Sequence, residues 1–299
     1  MRKAYEHNLG LDGGKHFTAY NMTSGPFGGV RGRDMILVQS LDGKLQVFEQ
    51  SANAFTRQLV DCLLPGPVAY LSRMDAFVTT NYACQSECYR YQVLAASSGE
   101  TPASATIGKG GNDNTSSSAT TFGVSAIRNA LVEWSINVGE SCRQIEQGCY
   151  TRATSSSSNT TMMGSKDPST MSRNSGEVLV LCDKSLFLLK DSGGIIQQRR
   201  LEKEPCCFAK YAVGGSTPTV GAAPSSSSSQ SNDGSQGHNF ILACRDGTLQ
   251  VYSEFNLVWA AKLPASSSSS SSVPVPVQVA VAQFGDQRGL VVTLDDAGR

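Results

Sequence analysis

Three aspartates stand at the same place in a repeated pattern and are the first candidates for acid–base chemistry. Asp42, Asp183 and Asp246 each follow a short apolar run and precede an alternating one. Two of them are followed by glycine, and Asp-Gly is the preferred two-residue link of a β-hairpin because a type I′ turn needs positive φ at both central positions. The spacing therefore predicts turn positions rather than general acids or bases, and the structural turn residues are Asp42, Gly43, Asp246 and Gly247.

The cysteines and histidines are the second candidates, since both residue types ligate metals. Cys84 and Cys88 form a C-x3-C pair and Cys206 adjoins Cys207, whereas structural zinc usually takes paired ligand sets such as C-x2-C with a second pair nearby. The histidines are too few and too scattered for a triad or a zinc site, and they are His7, His16 and His238. We expect no catalytic, cofactor-binding or metal-binding residues, and we interpret the cysteines as buried, reduced thiols in strands.

Two glycine-rich strings and one aromatic string could bind phosphate or nucleic acid. Residues 24–33 (SGPFGGVRGR) and 107–112 (IGKGGN) match neither the P-loop pattern nor the dinucleotide-binding pattern in its strand and helix context. The string CYRYQVL at 88–94 alternates like a strand, which predicts that Tyr89 and Tyr91 share one face and pack there rather than stack on bases. None of the three strings supports a ligand site.

The charge balance argues against nucleic acid and lipid surfaces as partners. The 25 Lys and Arg residues cancel the 25 Asp and Glu residues of the 299-residue chain, so no net field attracts polyanions. The segment MRKAYEHNLG has no apolar stretch like that of a secretory signal, and no window reaches the roughly 18 apolar residues of a membrane span. Nine cysteines, an odd number, do not resemble a secreted disulfide framework. The chain is predicted to be soluble and intracellular.

The aspartate turns belong to a repeat of short strands. Apolar runs precede the turns at 35–38, 178–182 and 240–244, and residues 290–296 begin the same pattern. A continuous apolar run of this length is typical of a strand buried on both faces, whereas the alternation after each turn is typical of a strand with one wet side. Each unit is therefore predicted to contain a hairpin of an inner and an outer strand.

The hairpins are predicted to lie in four-stranded units, with strands called a to d along the chain. A Trp-containing strand recurs at 130–140 and 257–264, and proline recurs where units meet, as at 204–209, which suits strand starts and edges. After a d-like strand at 3–9, the innermost a strands are predicted at 16–24, 67–72, 140–150, 205–213 and 273–283. At about 40 to 45 residues per unit, the sequence predicts an all-β fold, a partial β-propeller of four-stranded antiparallel blades with about four complete blades plus partial ones.

Serine-rich segments interrupt this repeat. They cannot bury enough apolar surface to offset the entropy of ordering, and the predicted disordered inserts are 97–121, 154–176, 216–237 and 265–272. The first falls in a c-d loop and the next two in a-b loops, so the three long inserts are predicted to crowd one face of the blades. We expect the opposite face, which carries the Asp-Gly turns, or the blade rims to make permanent contacts.

A propeller enzyme is the alternative of a different class. A hydrolase of this architecture needs Asp, Glu or His on the a strands, pointing into one funnel around the central channel. The predicted a strands offer only His16, Glu140 and Glu146. The enzyme hypothesis therefore ranks last.

Several long strings resemble a known family. They are YEHNL at 5–9, residues 21–50, LLPGPVAY at 63–70, YRYQVLA at 89–95 and LVEWSINVGE at 131–140, with a looser likeness at 184–193, 257–264 and 289–298. These strings resemble the N-terminal propeller of the Bardet-Biedl syndrome protein nine family, the parathyroid-hormone-responsive subunits of the BBSome. The resemblance is close from residue 5 to about residue 140.

The resemblance implies a non-enzymatic scaffold subunit of a coat-like complex that carries membrane proteins to and from cilia. It implies other BBSome subunits as partners and, indirectly, an ARF-like small GTPase and ciliary membrane-protein cargo. It also implies a place in the cytoplasm, the cilium and the basal body, with the membrane contacted only through the complex. The family propeller has seven blades, and the chain is expected to lack the first two and the end of the last, as an apparent fragment or incomplete gene model. A propeller adaptor of another vesicle coat is the alternative among binding proteins.

Overall fold

The computed structural model describes Glu6, Leu9 and residues 17–30, 32–50, 52–59, 66–96, 131–151, 176–212, 238–264, 274–284 and 287–299. These residues form antiparallel strands, one short helix and a single 3-10 turn, Phe27–Gly29. The strands group into four four-stranded sheets and one two-stranded sheet, each built from strands consecutive in the chain. The predicted fold class is confirmed: the protein is all-β and is built from four-stranded antiparallel blades of the propeller type, four complete and one of two strands.

The first two blades contain eight strands in chain order. The first blade, in the order β1-β2-β3-β4, consists of β1 (Ala19–Gly25), β2 (Met35–Ser40), β3 (Lys44–Glu49) and β4 (Ala52–Gln58). The second blade, in the order β5-β6-β7-β8, consists of β5 (Val68–Leu71), β6 (Ala76–Thr80), β7 (Gln85–Arg90) and β8 (Val132–Asn137), with α1 (Tyr91–Ala96) directly after β7.

The remaining blades follow the same plan. The third, in the order β12-β11-β10-β9, consists of β9 (Cys142–Gly148), β10 (Glu177–Cys182), β11 (Ser185–Lys190) and β12 (Ile195–Arg200). The fourth, in the order β13-β14-β15-β16, consists of β13 (Pro205–Ala212), β14 (His238–Cys244), β15 (Thr248–Ser253) and β16 (Asn256–Lys262). The fifth has β17 (Pro276–Phe284) and β18 (Gln287–Asp295). Pro205 and Pro276 are the first residues of β13 and β17, the innermost strands of their blades, where a missing N–H donor costs the ladder least.

The chain divides into two compact units. Unit one comprises Met1–Gln147 with Asp191–Ile196, and unit two comprises Gly148–Lys190 with Gln197–Arg299. Within unit one, Phe27 is fully buried and lies edge-on to Tyr70 and Phe77, with ring centroids 4.6 and 4.8 Å away. This aromatic group anchors a core formed with Met35, Leu37, Leu45, Val47, Leu59, Tyr89 and Leu94.

Unit two has a core of its own around Phe240. This side chain is fully buried and stacks on Tyr252 at 4.7 Å between centroids. Tyr150 and Phe208 lie edge-on to it at 5.9 and 6.2 Å. Leucines of β10, β11 and β14 complete the core, and they are Leu179, Leu181, Leu186, Leu188 and Leu242. The apolar runs predicted to be buried on both faces are β10 and β14, whereas the wet side predicted for the strand after the turn is wrong for β11, which is buried up to Leu189.

A bulge recurs between strands c and d of three blades. The register shifts at Val47/Phe48, at Cys88/Tyr89 and at Val251/Tyr252. In each case an aromatic residue follows the shift and is buried. A bulge bends the strand and re-aims its side chains, so the same device turns one ring into the core in each of these blades.

The predicted strand at 88–94 is wrong beyond Arg90. Residues Tyr91–Ala96 form α1, because contacts from distant parts of the chain hold its backbone. The Tyr91 N–H donates to the carbonyl of Asp75 at 2.8 Å, and Arg57 donates to the carbonyls of Leu94 and Ala95 at 2.6 and 3.1 Å. A cation at the last carbonyls favours a helix end.

The predicted inserts fall almost wholly outside the described residues, as does the d-like strand predicted at 3–9. Residues 97–121, 216–237 and 265–272 lie in the undescribed stretches, and of 154–176 only Gly176 is described. Their disorder stays a prediction, as does the crowding of one blade face. Across the described stretches, no helix has the length and apolar character needed to cross a membrane.

Candidate protein-interaction surface

The first Asp-Gly turn joins β2 to β3. Gly43 has φ +79°, whereas Asp42 does not lie in the left-handed region, and the Gly43 N–H donates to the Ser40 carbonyl at 3.0 Å. The type I′ link expected from the sequence is therefore wrong, because that turn needs positive φ at two successive residues. The Asp42 carboxylate instead accepts hydrogen bonds from the Ser40 hydroxyl and the Lys44 ammonium group.

The fourth blade repeats this arrangement between β14 and β15. Gly247 has φ +74° and donates to the Cys244 carbonyl at 2.9 Å. Asp246 accepts from the Thr248 N–H at 3.1 Å, the Thr248 hydroxyl at 2.9 Å and the Lys203 ammonium group at 2.8 Å. The carboxylate thus closes the turn over its own backbone, as Asp side chains do in turns.

The electrostatics of these carboxylates do not suit proton transfer at neutral pH. Partial burial raises the pKa of Asp42, but hydrogen bonds from Lys44 and Ser40 outweigh it, so the pKa lies below its usual value. Burial likewise raises the pKa of Asp246, and hydrogen bonds from Lys203 and Thr248 more than offset it. A general acid needs a pKa near the working pH, and these carboxylates are ionised there. That they are structural turn residues stays a prediction.

Replacing Asp246 by asparagine tests the turn role through its pH dependence. The folded-state pKa is lowered from 3.8, so the stabilisation is complete above that value and is lost as the pH falls through the folded pKa. At neutral pH we expect Asp246→Asn to destabilise the fold by less than about 1 kcal/mol, because the ion pair is exposed to solvent. Urea unfolding should show this difference shrinking towards zero at acidic pH. A difference that does not change with pH would contradict the role given to the carboxylate.

The turn of the second blade was not predicted from the sequence. The Cys84 N–H donates to the Asn81 carbonyl at 3.2 Å, and Cys84 has φ +58° at the place of Gly43. The Asn81 side-chain oxygen accepts from the N–H groups of Ala83 and Gln85 at 3.0 and 3.1 Å. An asparagine opening a turn was the available signal. The third aspartate, Asp183, lies in the link between β10 and β11.

The turns of the first and second blades expose apolar side chains at equivalent positions. Leu41 follows Ser40 and is 46% exposed, and Tyr82 follows Asn81 and is 56% exposed. We call these two residues the turn tips. Both belong to unit one. A leucine or tyrosine at the apex of a short rigid turn has no core to enter. These two residues are therefore the exposed side chains of the turns that best suit a protein partner.

A second exposed apolar surface lies on β16, the outer strand of the fourth blade. Leu257, Val258 and Trp259 are consecutive, and their exposed fractions are 45%, 60% and 54%. Outer strands of sheets usually carry charges that discourage pairing with other chains. The third blade provides a matched apolar position for comparison, since Ile195 of β12 is 49% exposed.

Three of the described cysteines are buried thiols that stay protonated at neutral pH. Burial raises the pKa of the Cys88 and Cys244 thiols to about 12 and that of Cys207 to about 11, so these sulfurs are protonated at neutral pH. The thiolate is the form that attacks and ligates. Within the described residues, no group of three His, Cys, Asp or Glu side chains could hold a metal ion.

Of the three residues considered for an enzyme funnel, His16, Glu140 and Glu146, the structure describes only the two glutamates. His7 and His16 lie outside the described residues, and His238 begins β14. Glu140 follows β8, whereas Glu146 lies within β9. Of the glycine-rich strings, 24–33 includes the 3-10 turn, and 107–112 is not described.

Comparison with known proteins gives a match along the whole chain. A family model described as PTHB1 N-terminal matches residues 1–299. Protein PTHB1 of Xenopus laevis is 33% identical over 299 residues, which cover 100% of this chain and 27% of that protein. Protein PTHB1 of Homo sapiens is 34% identical over 302 residues, which cover 100% of this chain and 26% of that protein. The chain spans about a quarter of the length of these curated relatives.

Solved structures resemble the chain only distantly. BBS1N, solved in complex with ARL6DN, has a TM-score of 0.30 and 13% identity, covering 95% of this chain and 91% of that chain. Raptor of Chaetomium thermophilum has a TM-score of 0.47 and 9% identity, covering 93% of this chain and 19% of that chain. Likeness this distant carries no statement about the function of the chain.

The sequence matches correct the recognition made from the quoted strings. That recognition placed the close resemblance between residue 5 and about residue 140, with only a looser likeness beyond it. The family model and both relatives instead match all of residues 1–299. The match therefore covers the whole chain, and the chain belongs to the PTHB1 N-terminal family.

Proposed function

We propose that the protein is a non-enzymatic scaffold subunit of the BBSome, the coat-like complex that traffics membrane proteins to and from cilia. It acts through protein–protein contacts of its propeller blades. The single observation that carries this proposal is membership of the PTHB1 N-terminal family over residues 1–299. The proposal extends from that family to the complex through the resemblance of the quoted strings to BBSome subunits.

The architecture supports a role in binding. Blades of this type serve many functions, and a function must be argued from the surfaces that they present. The candidate carboxylates of the first and fourth blades are held in turns by Lys44 and Lys203. Exposed apolar side chains on rigid elements are available for contact, and they include the turn tips and the three exposed residues of β16. Aromatic anchors on rigid elements are typical of protein interfaces.

The partners and the location follow from the same proposal. The direct partners are other BBSome subunits, whereas an ARF-like small GTPase and membrane-protein cargo are reached through the assembled complex. The protein then resides in the cytoplasm, the cilium and the basal body and contacts the membrane only as part of the complex. The neutral charge balance, with 25 Lys and Arg against 25 Asp and Glu, suits this indirect contact because anionic lipids attract basic surfaces.

Affinity purification from ciliated cells tests the proposal. The tagged gene product is purified and its partners are identified and quantified by mass spectrometry. We expect the other BBSome subunits in stoichiometric amounts. Recovery of a stable monomer without them would overturn the scaffold proposal, and recovery with the subunits of another vesicle coat would replace it with the adaptor alternative.

The turn tips give a sharper prediction about which surface makes the contacts. The double change Leu41→Asp and Tyr82→Asp puts charge at both tips, and burying an unpaired charge in an interface is costly. We expect the recovery of the partner subunits to fall by about tenfold or more, as for loss of interface anchors. Quantitative mass spectrometry of the purified complex measures the effect.

Ile195→Asp is the matched control for the tips. Ile195 is as exposed as Leu41, at 49% against 46%, and it follows the c-d turn, at the strand end opposite to the b-c turns that carry the tips. We expect it to leave the recovery of partners unchanged. All three side chains are exposed, so urea midpoints should stay close to that of the unaltered protein. Equal losses in the tip variant and in the control would show that the tips have no special part in assembly.

A further inference from the structure

Two adjacent cysteines of β13 lie on the same face of the fourth blade. Successive residues of a strand normally point to opposite faces of the sheet. In the pairing of β13 with β14, Pro205 lies opposite Cys244, and the next pair is Cys207 opposite Ala243. Cys206 is therefore the extra residue of a bulge. A bulge re-aims the side chains beside it, and here it brings two neighbouring thiols to one side of the sheet.

The packing of the side chains shows which face this is. Cys206 and Cys207 both pack in one apolar cluster, whose other buried members are Ile241, Ala243, Leu249 and Val279. Cys244 belongs to the cluster on the opposite face of the sheet, so its side chain points away from the pair. Cys207 is buried and Cys206 is half-buried, which leaves access to the pair from the side of Cys206.

The pair is poorly suited to a disulfide of its own. Both residues are free cysteines. The Cα atoms of adjacent residues are about 3.8 Å apart, whereas a disulfide usually joins Cα atoms about 4.4–6.8 Å apart. The two sulfurs are therefore better placed to bind a common third atom than to bond to each other.

The surroundings of Cys207 include a donor that favours its ionised form. Burial and the neighbouring Cys206 raise the pKa of Cys207 to about 11, and a hydrogen bond from the Val279 N–H acts in the opposite direction. A hydrogen bond to the charged form of a group stabilises that form. Hydrogen bonds to the ligand atoms are typical of metal sites, including those with sulfur ligands.

We propose that Cys206 and Cys207 form a binding site for a soft monovalent metal ion, copper(I). Thiolates select soft ions such as Cu(I), and this ion is satisfied by two sulfur ligands. On binding, both S–H bonds break, two Cu–S bonds form, and the two protons pass to solvent. No electron is transferred. The site goes beyond the scaffold role and does not depend on it, because the residues that form it all lie in unit two.

Zinc fits this pair less well than copper(I) does. Structural zinc takes four ligands, and among the described residues no three His, Cys, Asp or Glu side chains could hold one ion. The sequence analysis set the pair aside for lack of a second ligand pair. It could not show that the thiols share a face, because adjacent residues of a regular strand point apart and only the bulge at Cys206 reverses this.

Competition with a copper(I) chelator tests the site. The purified chain, kept reduced and free of oxygen, is titrated into the coloured complex of Cu(I) with bicinchoninate, and the transfer of copper is followed by absorbance. We expect one tightly bound Cu(I) per chain. Cys206→Ser and Cys207→Ala should each lower the affinity by about hundredfold or more, because losing a ligand costs more than the roughly 10–100-fold of losing an outer-shell partner.

Thermal unfolding gives a second readout. An ion that binds the folded state stabilises it, so Cu(I) should raise the unfolding midpoint of the unaltered chain and leave that of Cys206→Ser unchanged. Without copper, Cys206→Ser should unfold close to the unaltered chain, because Cys206 is only half-buried. This comparison separates loss of the site from loss of the fold.

Cys142→Ser is the matched control. Cys142 is half-buried like Cys206, but it lies in β9 with no cysteine adjacent to it in the sequence. The affinity for Cu(I) should therefore not change in this variant. Absence of tight Cu(I) binding, binding that survives both Cys206→Ser and Cys207→Ala, or an equal loss in Cys142→Ser would overturn the site.

Discussion

Replacing Phe240 by alanine is expected to lower the free energy of unfolding by about 3–5 kcal/mol, the range for removing a buried aromatic ring. The side chain is fully buried, and its ring stacks on Tyr252 at 4.7 Å and lies within 6.2 Å of Tyr150 and Phe208. Alanine leaves a cavity that these rings border from several sides, and the strands that hold Phe208 and Tyr252 cannot close it without breaking ladder hydrogen bonds. The surrounding rings also lose edge-on and stacked contacts beyond the buried area.

Urea unfolding followed by circular dichroism measures this effect. A lower midpoint at an unchanged slope reports a change in stability rather than in compactness. Phe240→Leu is the graded control, because leucine retains much of the ring's volume and should cost about a third as much, in keeping with tolerated volume-conserving changes. A loss below about 1 kcal/mol for Phe240→Ala would mean that the ring is not the centre of the core of unit two.

Replacing Gly66 by alanine is expected to destabilise unit one by about 2–3 kcal/mol, because added atoms in a packed site force backbone shifts. A Cβ at this position would lie 1.6 Å from the Thr80 hydroxyl oxygen, 2.8 Å from Thr80 Cβ and 3.0 Å from the Thr80 carbonyl oxygen. Rotation of Thr80 relieves only the first of these contacts. The Gly66 backbone is also held, since its N–H donates to the Thr80 carbonyl at 3.2 Å and its own carbonyl accepts from Asn21 at 2.6 Å.

Gly139→Ala separates the steric effect from backbone strain. Gly139 has φ +71° and nothing within 4 Å of its Cβ position, so alanine there suffers only the left-handed conformation, at about 1–2 kcal/mol. Gly66 is not one of the glycines with positive φ, so the stability cost of Gly66→Ala is purely steric. Both variants are compared with the unaltered protein by urea unfolding. Equal or smaller losses for Gly66→Ala would contradict the close approach to Thr80.

The repeat of strands was predictable because its signals are local. Apolar runs before Asp42-Gly43 and Asp246-Gly247 mark strands that are buried on both faces, and glycine at positive φ marks the turns. The second blade lacks this mark, since Cys84 takes the left-handed position. The left-handed backbone conformation of Cys84 costs energy. The Cys84 carbonyl helps to offset this cost by accepting from the N–H groups of Val138 and Gly139 at 2.9 and 3.3 Å. Those partners are distant in sequence, so the asparagine that opens the turn, Asn81, was its local signal.

The candidate surface was less predictable because exposure depends on what faces each strand. Trp134 and Trp259 were recognised as equivalent tryptophans in short strands, and the strands are observed as β8 and β16. Their surroundings differ, since Trp134 meets the turn at Asp191 and Gly193 whereas Trp259 is half exposed. Alternation along a strand shows which residues share a face but not whether that face is covered. The helix at Tyr91 was missed for a similar reason, since Asp75 in the turn before β6 and Arg57 of β4 hold it.

Purification of the BBSome through a tag on a different subunit tests the central claim most directly. The complex is isolated from ciliated cells, and this chain is quantified against the tagged subunit with isotope-labelled peptides, for example from the β14–β15 segment. The scaffold role predicts equimolar amounts and predicts that depletion of this protein leaves the remaining subunits in smaller assemblies. Absence of the chain from the purified complex, or an intact complex after its depletion, would contradict the claim that the protein is a scaffold subunit of the BBSome.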